Sequence, residues 1–206
     1  MGSDRSPNPA DHRLRLFVAL ELPEPVRTAI GAWAASVLDA IGSLRPVRVD
    51  GLLVTLCFLG STVSAEAEAI GDCCRGACAG RGPLRLSIGG LESLPRRRPR
   101  AVAVRVDDAG DGQLLELQRG LAAALAGGGW YRPEPRPFRA HVTAARVRSG
   151  ARLDARALPE RDRIGITSLP GRLTTEFTAD LVTLFESQTQ PGGAVYQPRA
   201  RIELAV

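Results

Sequence analysis

At 206 residues with 44% hydrophobic content, the chain is long enough for one large domain or two small lobes that share an interface. Its formal charge is +5 and its pI about 9.6, and all 27 basic residues are arginine. That balance suits a polyanionic partner, but lysine-free usage beside abundant Ala and Gly also reflects genomic composition, so charge permits nucleic acid without identifying it.

Residues 1–11 are polar and rich in Ser, Pro and Asn, with no charged-then-apolar signal pattern. No window approaches the ~18 consecutive apolar residues of a membrane span. Residues 1–12 read as a disordered leader, and the chain as a cytoplasmic monomer with no membrane partner.

Residues 13–20 alternate and run into Glu21-Leu22-Pro23, a strand ending in a turn. Pro25 opens an apolar-periodic stretch over 26–41, a helix. Residues 47–49 form a short strand, and 52–59 a strong one closed by Gly60-Ser61. Ser64 caps a helix that runs to about residue 79, with Glu66 and Glu68 in its early turns, where the dipole favours acids.

Two strands follow, over 84–88 and 101–106, joined by a loop containing Pro95-Arg96-Arg97-Arg98-Pro99-Arg100. Residues 113–126 make an amphipathic helix ended by Gly127, Gly128 and Gly129. The next strand covers 141–147, and 148–170 is irregular with a short helix. Two last strands, over 174–186 (bent or broken) and 194–204, flank the turn Gln190-Pro191-Gly192-Gly193.

This alternation, with its tight hairpin turns, predicts an α+β fold of antiparallel or mixed sheet. No phosphate-cradling glycine loop opens a helix after a strand, which argues against a doubly wound nucleotide-binding domain.

The four cysteines are Cys57, Cys73, Cys74 and Cys78. Their spacing is not a zinc pattern. Cys74 and Cys78 lie four apart on a helix, which leaves a local redox or metal pair open; packing as small apolar core residues is the favoured reading.

Two distant strands share a pattern that carries chemistry. One holds Leu53-Val54-Thr55-Leu56 and the other His141-Val142-Thr143-Ala144. Residues two apart on a strand point to one face. His141 therefore projects with Thr143, and Leu53 with Thr55; Cys57 is expected on that same face. Side by side, the strands would aim one imidazole and two hydroxyls into a cleft. An imidazole exchanges protons near neutral pH, and hydroxyls hydrogen-bond phosphate oxygens.

These frames, Leu53-Val54-Thr55 ending in Phe58-Leu59-Gly60 and His141-Val142-Thr143 preceded by Pro137-Phe138, resemble the two His-x-Thr motifs of the two-histidine (2H) phosphoesterases. The LigT-like RNA 2′,3′-cyclic phosphodiesterases are the matching branch. The likeness extends from Arg15-Leu16-Phe17 through Gly89-Gly90-Leu91 to Pro191-Gly192-Gly193-Ala194-Val195-Tyr196.

The resemblance implies a bilobal fold over 13–206, two pseudo-symmetric lobes of mainly antiparallel sheet with outer helices around a central cleft. It implies metal-free, cofactor-free hydrolysis of an RNA or nucleotide 2′,3′-cyclic phosphate to a 2′-phosphate. One histidine serves as general base and the other as general acid. By position His141 is catalytic, and Thr55, Thr143 and Arg146 bind phosphate.

Leu53 stands where the first histidine is expected, so the motif is degenerate and the activity impaired or altered. His12, the other histidine, lies outside either frame and reads as a surface residue. The alternatives are a protein that binds RNA ends or nucleotide phosphates without turnover, and an enzyme acting on a different small cyclic phosphate. A nucleophilic Cys57 has no base placed to activate it. Phe17, Phe58 and Phe138 could contact a base, with core packing expected for at least two of them. The run Arg96 to Arg100 reads as a solvated hairpin loop, with an RNA-strand contact as the sharper alternative.

Overall fold

The computed structural model describes residues 12–154, 158, 176–190 and 193–205. The expected leader over 1–11, most of the irregular segment and the centre of the last turn lie outside them. His12 is exposed, and its carbonyl accepts a hydrogen bond from the Ser64 amide at 2.9 Å.

The strands are β1 (Arg13–Glu21), β2 (Leu44–Pro46), β3 (Leu53–Val63), β4 (Leu84–Leu94), β5 (Ala101–Asp108), β6 (His141–Val147), β7 (Glu176–Ala179), β8 (Leu181–Gln190) and β9 (Gly193–Glu203). The helices are α1 (Glu24–Trp33), α2 (Ala67–Cys78) and α3 (Gln113–Gly127). One sheet runs β7-β4-β5-β6-β3-β1-β8-β9, with β2 added on β6, and every described pairing is antiparallel.

The order divides into two halves, β7-β4-β5-β6 and β3-β1-β8-β9, which meet at Val54↔Val142. A pseudo-symmetry follows from the connectivity. The unit β1-α1-β3 matches β5-α3-β6, and after each unit the chain passes to the other half: by way of α2 to β4, which pairs with β5, and by way of β7 to β8, which pairs with β1. The 174–186 strand is indeed broken. β7 pairs with β4 while β8 joins β1, so the chain changes halves at Asp180.

The helices cover one face of the sheet. Ile30 and Trp33 of α1, Ile70 and Cys74 of α2, and Leu117, Leu121 and Leu125 of α3 pack in one cluster with Val18, Leu20, Val54, Val104 and Val142. The other face carries a smaller cluster of Phe17, Ala19, Leu53 and Phe185 against Tyr196, which forms the floor of the cleft.

Several expected boundaries move. The 47–49 strand is a 3-10 turn over Val49–Gly51, and the paired strand is Leu44–Pro46 just before it. Helix α1 is shorter than expected and loosens into a π turn over Ala34–Leu38. Ser64 makes no capping bond and lies in a 3-10 turn that leads into α2. Gly60 does not close β3. Its φ of +73° lets the strand continue through a bulge to Val63, a conformation that glycine adopts without the Cβ penalty.

Candidate functional site

The site is built where the two halves meet. Val54 and Val142 are fully buried on the helix side. In an antiparallel ladder neighbours step in opposite directions, so Thr55 comes level with His141, and Leu53 with Thr143, on the opposite face. All four line a cleft of about 240 Å³. Arg146, an odd step beyond Thr143, lines it too. A bulge allows this: Ala103 pairs with Thr143 but Val102 with Ala145, so Ala144 is an extra residue and both alanines are buried.

The His141 ring is oriented by the chain itself. Its Nδ1 lies 2.8 Å from the Arg139 carbonyl oxygen. A carbonyl can only accept, so Nδ1 carries the proton that it donates there, and the proton the ring exchanges is the one at Nε2. A neutral His141 thus presents an Nε2 lone pair.

The position level with Thr143 is different. Leu53 is 7% exposed and packs in the cleft-floor cluster. Phe17 stacks on Phe185 with ring centroids 5.4 Å apart and meets Tyr196 edge-on at 4.8 Å. The first-motif position is therefore part of an apolar, aromatic platform, with no proton to give.

Cys57 does not share this face. It is 1% exposed and belongs to the helix-side core. The reason is again a bulge. Ala19 pairs with Thr55 but Val18 pairs with Cys57, which leaves Leu56 as an extra residue. Both Leu56 and Cys57 then face the helices, and alternation resumes with Phe58 pointing to the cleft. Burial pushes the Cys57 thiol up to about 12, against a smaller opposing hydrogen bond from Gln118. It is a core thiol, not a cleft group.

The three phenylalanines separate by burial. Phe17 is the buried centre of the platform, and Phe138 is half-buried against the main core. Phe58 alone of the three is exposed, at 63%, on the cleft wall with its ring 6.1 Å from Phe17. It is the aromatic face open to a ligand.

The cleft also holds residues that motif reading missed: Arg15 on β1, Ser187 and Thr189 on β8, and Tyr196 on β9. Ser187 and Thr189 stand two apart within the polar run Glu186 to Gln190, where no local alternation singles them out. Their placement beside β1 depends on a long-range pairing. Among the described residues no Asp or Glu lines the cleft, and neither Arg15 nor Arg146 forms an ion pair. Two guanidiniums without an ion-pair partner, an imidazole and the hydroxyls of Thr55, Thr143, Ser187 and Thr189 form a lining whose chemistry suits an anion.

Cys73, Cys74 and Cys78 sit on α2 as free thiols, Cys74 and Cys78 buried in the core. No group of three or more His, Cys, Asp or Glu side chains comes together to hold a metal among the described residues. No helix there is long and apolar enough to cross a membrane.

A family model described as the 2′-5′ RNA ligase superfamily matches residues 23–189. The chain is 29% identical over 187 residues to an RNA 2′,3′-cyclic phosphodiesterase of Escherichia coli, covering 91% of this chain and 94% of the relative. It is 26% identical over 189 residues to an RNA 2′,3′-cyclic phosphodiesterase of Methanothermobacter thermautotrophicus, covering 89% and 95%. In structure it is similar to a Thermus thermophilus protein, with a TM-score of 0.69 at 25% identity over 93% of this chain and 98% of the other. It shares the fold of E. coli LigT complexed with 3′-AMP, with a TM-score of 0.72 at 22% identity over 95% and 100%.

Proposed function

The chain belongs to the 2′-5′ RNA ligase superfamily, and from that footing we propose that its cleft opens the 2′,3′-cyclic phosphate of an RNA or nucleotide end to a 2′-phosphate, using one imidazole instead of two. The observation that carries this reading is the set His141, Thr143 and Arg146 on one strand with Thr55 level with His141, in a cleft that no described carboxylate lines.

Each group has a step. Thr55 and Thr143 donate hydroxyl hydrogens to the non-bridging phosphate oxygens, and Arg146 and Arg15 balance their charge. His141 Nε2 takes a proton from the water that attacks phosphorus. The bond from phosphorus to O3′ breaks, leaving the phosphate on O2′. The departing O3′ takes its proton from solvent, because Leu53 offers none. Removing a positioned acid costs ~10²–10⁴-fold in rate, so turnover is slow. The names of the curated relatives support the substrate class.

A second reading, phosphate binding without turnover, draws on Leu53 itself. Its burial among Phe17, Phe185 and Tyr196 makes that half of the cleft an apolar platform that grips rather than reacts. The test is turnover of a nucleoside 2′,3′-cyclic phosphate by the native chain and by His141→Ala, with 2′- and 3′-phosphate products resolved. Slow 2′-phosphate formation that disappears with His141→Ala supports hydrolysis. Binding with no turnover moves the reading to the second, and absence of both sinks the two together.

A further inference from the structure

Beyond the cleft, at the end of the β5–β6 pair, a second groove of about 700 Å³ is lined by Arg97, Arg98, Arg100, Arg148 and Arg152, with no acidic side chain among its described residues. We propose that this groove carries the body of a single-stranded RNA whose 3′ end occupies the cleft, through contacts to its phosphates alone; the proposal rests on the reading of the cleft given above.

Most of the groove's charge is uncompensated among the described residues. Arg148 is tied to Asp39 at 3.8 Å. Arg97, Arg98, Arg100 and Arg152 are exposed and enter no ion pair among the described residues. Holding four like charges in one concavity is unfavourable in isolation and is relieved by a polyanion.

The groove lies next to the cleft along β6, although the two share no lining residue. Arg146 lines the cleft, and the next residue, Val147, lines the groove and donates its amide hydrogen to the Arg100 carbonyl at 2.9 Å. From Arg146 to Arg148 the backbone spans at most ~7 Å. The cleft and the arginines are therefore neighbours along β6, within reach of one RNA chain.

The lining also sets the recognition mode. Its described residues include no aromatic side chain on which a base could stack, so contacts fall on the backbone and read no sequence. Phe58, the open aromatic face of the cleft, stays with the terminal nucleotide.

The test compares a short single-stranded RNA ending in a 2′,3′-cyclic phosphate with the matching mononucleotide, binding both to the native chain and to a triple variant, Arg97→Ala with Arg98→Ala and Arg100→Ala. The RNA is expected to bind more tightly than the mononucleotide, with a steep salt dependence and little preference for base composition. The triple variant should weaken the RNA ~10-fold or more and lower the log–log salt slope by about 2, at ~0.7 for each phosphate that is no longer neutralised, leaving the mononucleotide unchanged. RNA affinity and salt slope that survive the triple substitution overturn the proposal, as does a strong base preference in the groove. An RNA with a plain 3′-hydroxyl separates the two claims. If it binds as well as the cyclic-phosphate RNA and the variant weakens both, the groove stands while the reading of the cleft fails.

Discussion

Val54 and Val142 join the two halves of the sheet, and their pairing brings Thr55 level with His141 and Leu53 level with Thr143 on the face behind them. One side of this arrangement has a proton carrier beside a hydroxyl. The other has a hydroxyl beside an aliphatic side chain packed on aromatic rings. The cleft is symmetric in fold and asymmetric in chemistry.

That asymmetry makes the rate depend on the leaving group. In the proposed reaction His141 Nε2 is the base and nothing protonates O3′, so a substrate whose leaving group departs as a stable anion loses less than a cyclic phosphate does. A nucleoside phosphate p-nitrophenyl ester should be hydrolysed faster than the cyclic phosphate by the native chain, and His141→Gln should abolish both. Equal rates on the two substrates would mean that some other group supplies the acid.

Phe58 is exposed on the wall of the cleft, beside the proposed phosphate-binding groups, so it is expected to stack the terminal base, an interaction of ~1–3 kcal/mol by alanine substitution. Phe58→Ala should raise KM for a cyclic nucleotide by about tenfold or more, with little change in kcat or in melting temperature. A lower melting temperature with an unchanged KM would assign Phe58 to packing instead.

The cysteines predict alkaline weakness. Burial pushes Cys57 and Cys74 from 9.0 up to about 12, and Cys78 up to about 11. Folded-state values above the unfolded ones contribute stability that is full below the unfolded value and is lost as pH rises through the folded one. Stability should therefore fall between about pH 9 and 12. The Cys57 thiol should resist alkylation in the native state at pH 8 and react only on unfolding. Denaturant titrations across that range, and mass spectrometry after alkylation, check both.

Glu186 works at the other end of the scale. Burial alone would raise its carboxyl, but hydrogen bonds from Gln188 and Arg199 and the charge of Arg199 outweigh it and hold the group below its ordinary 4.5. This contribution is present above the unfolded value and is lost as pH falls through the folded one. Glu186→Gln should lower stability at neutral pH and flatten its decline below about pH 4.5. A variant whose acid profile matches the native one would remove Glu186 from that role.

Much of the architecture was legible because local alternation and helix periodicity set most strands and helices; β6 begins and ends where its pattern does. His141, Thr143 and Thr55 were legible because the period-two rule held around them. Arg146 was reached only through its place in the family frame, since the bulge at Ala144 breaks that rule before it. Cys57 was misplaced for the same reason, because Leu56 and Cys57 are both apolar and nothing local distinguishes a bulge from regular alternation. Gly60 likewise read as a turn, since a glycine gives the same signal in a bulge. Arg15, Ser187, Thr189 and Tyr196 entered the site through pairings between strands far apart in the chain, which residue patterns do not encode.

If the native cleft is a one-imidazole version of a two-imidazole site, Leu53→His should restore the second proton carrier. The variant places an imidazole level with Thr143, where the proposed reaction lacks an acid for O3′. Initial rates on a nucleoside 2′,3′-cyclic phosphate should rise ~10²–10⁴-fold over the native chain, with the same 2′-phosphate product. The polar ring enters the apolar platform at a stability loss of ~1–3 kcal/mol. A folded Leu53→His protein that binds the substrate and turns it over no faster than the native chain would contradict the account.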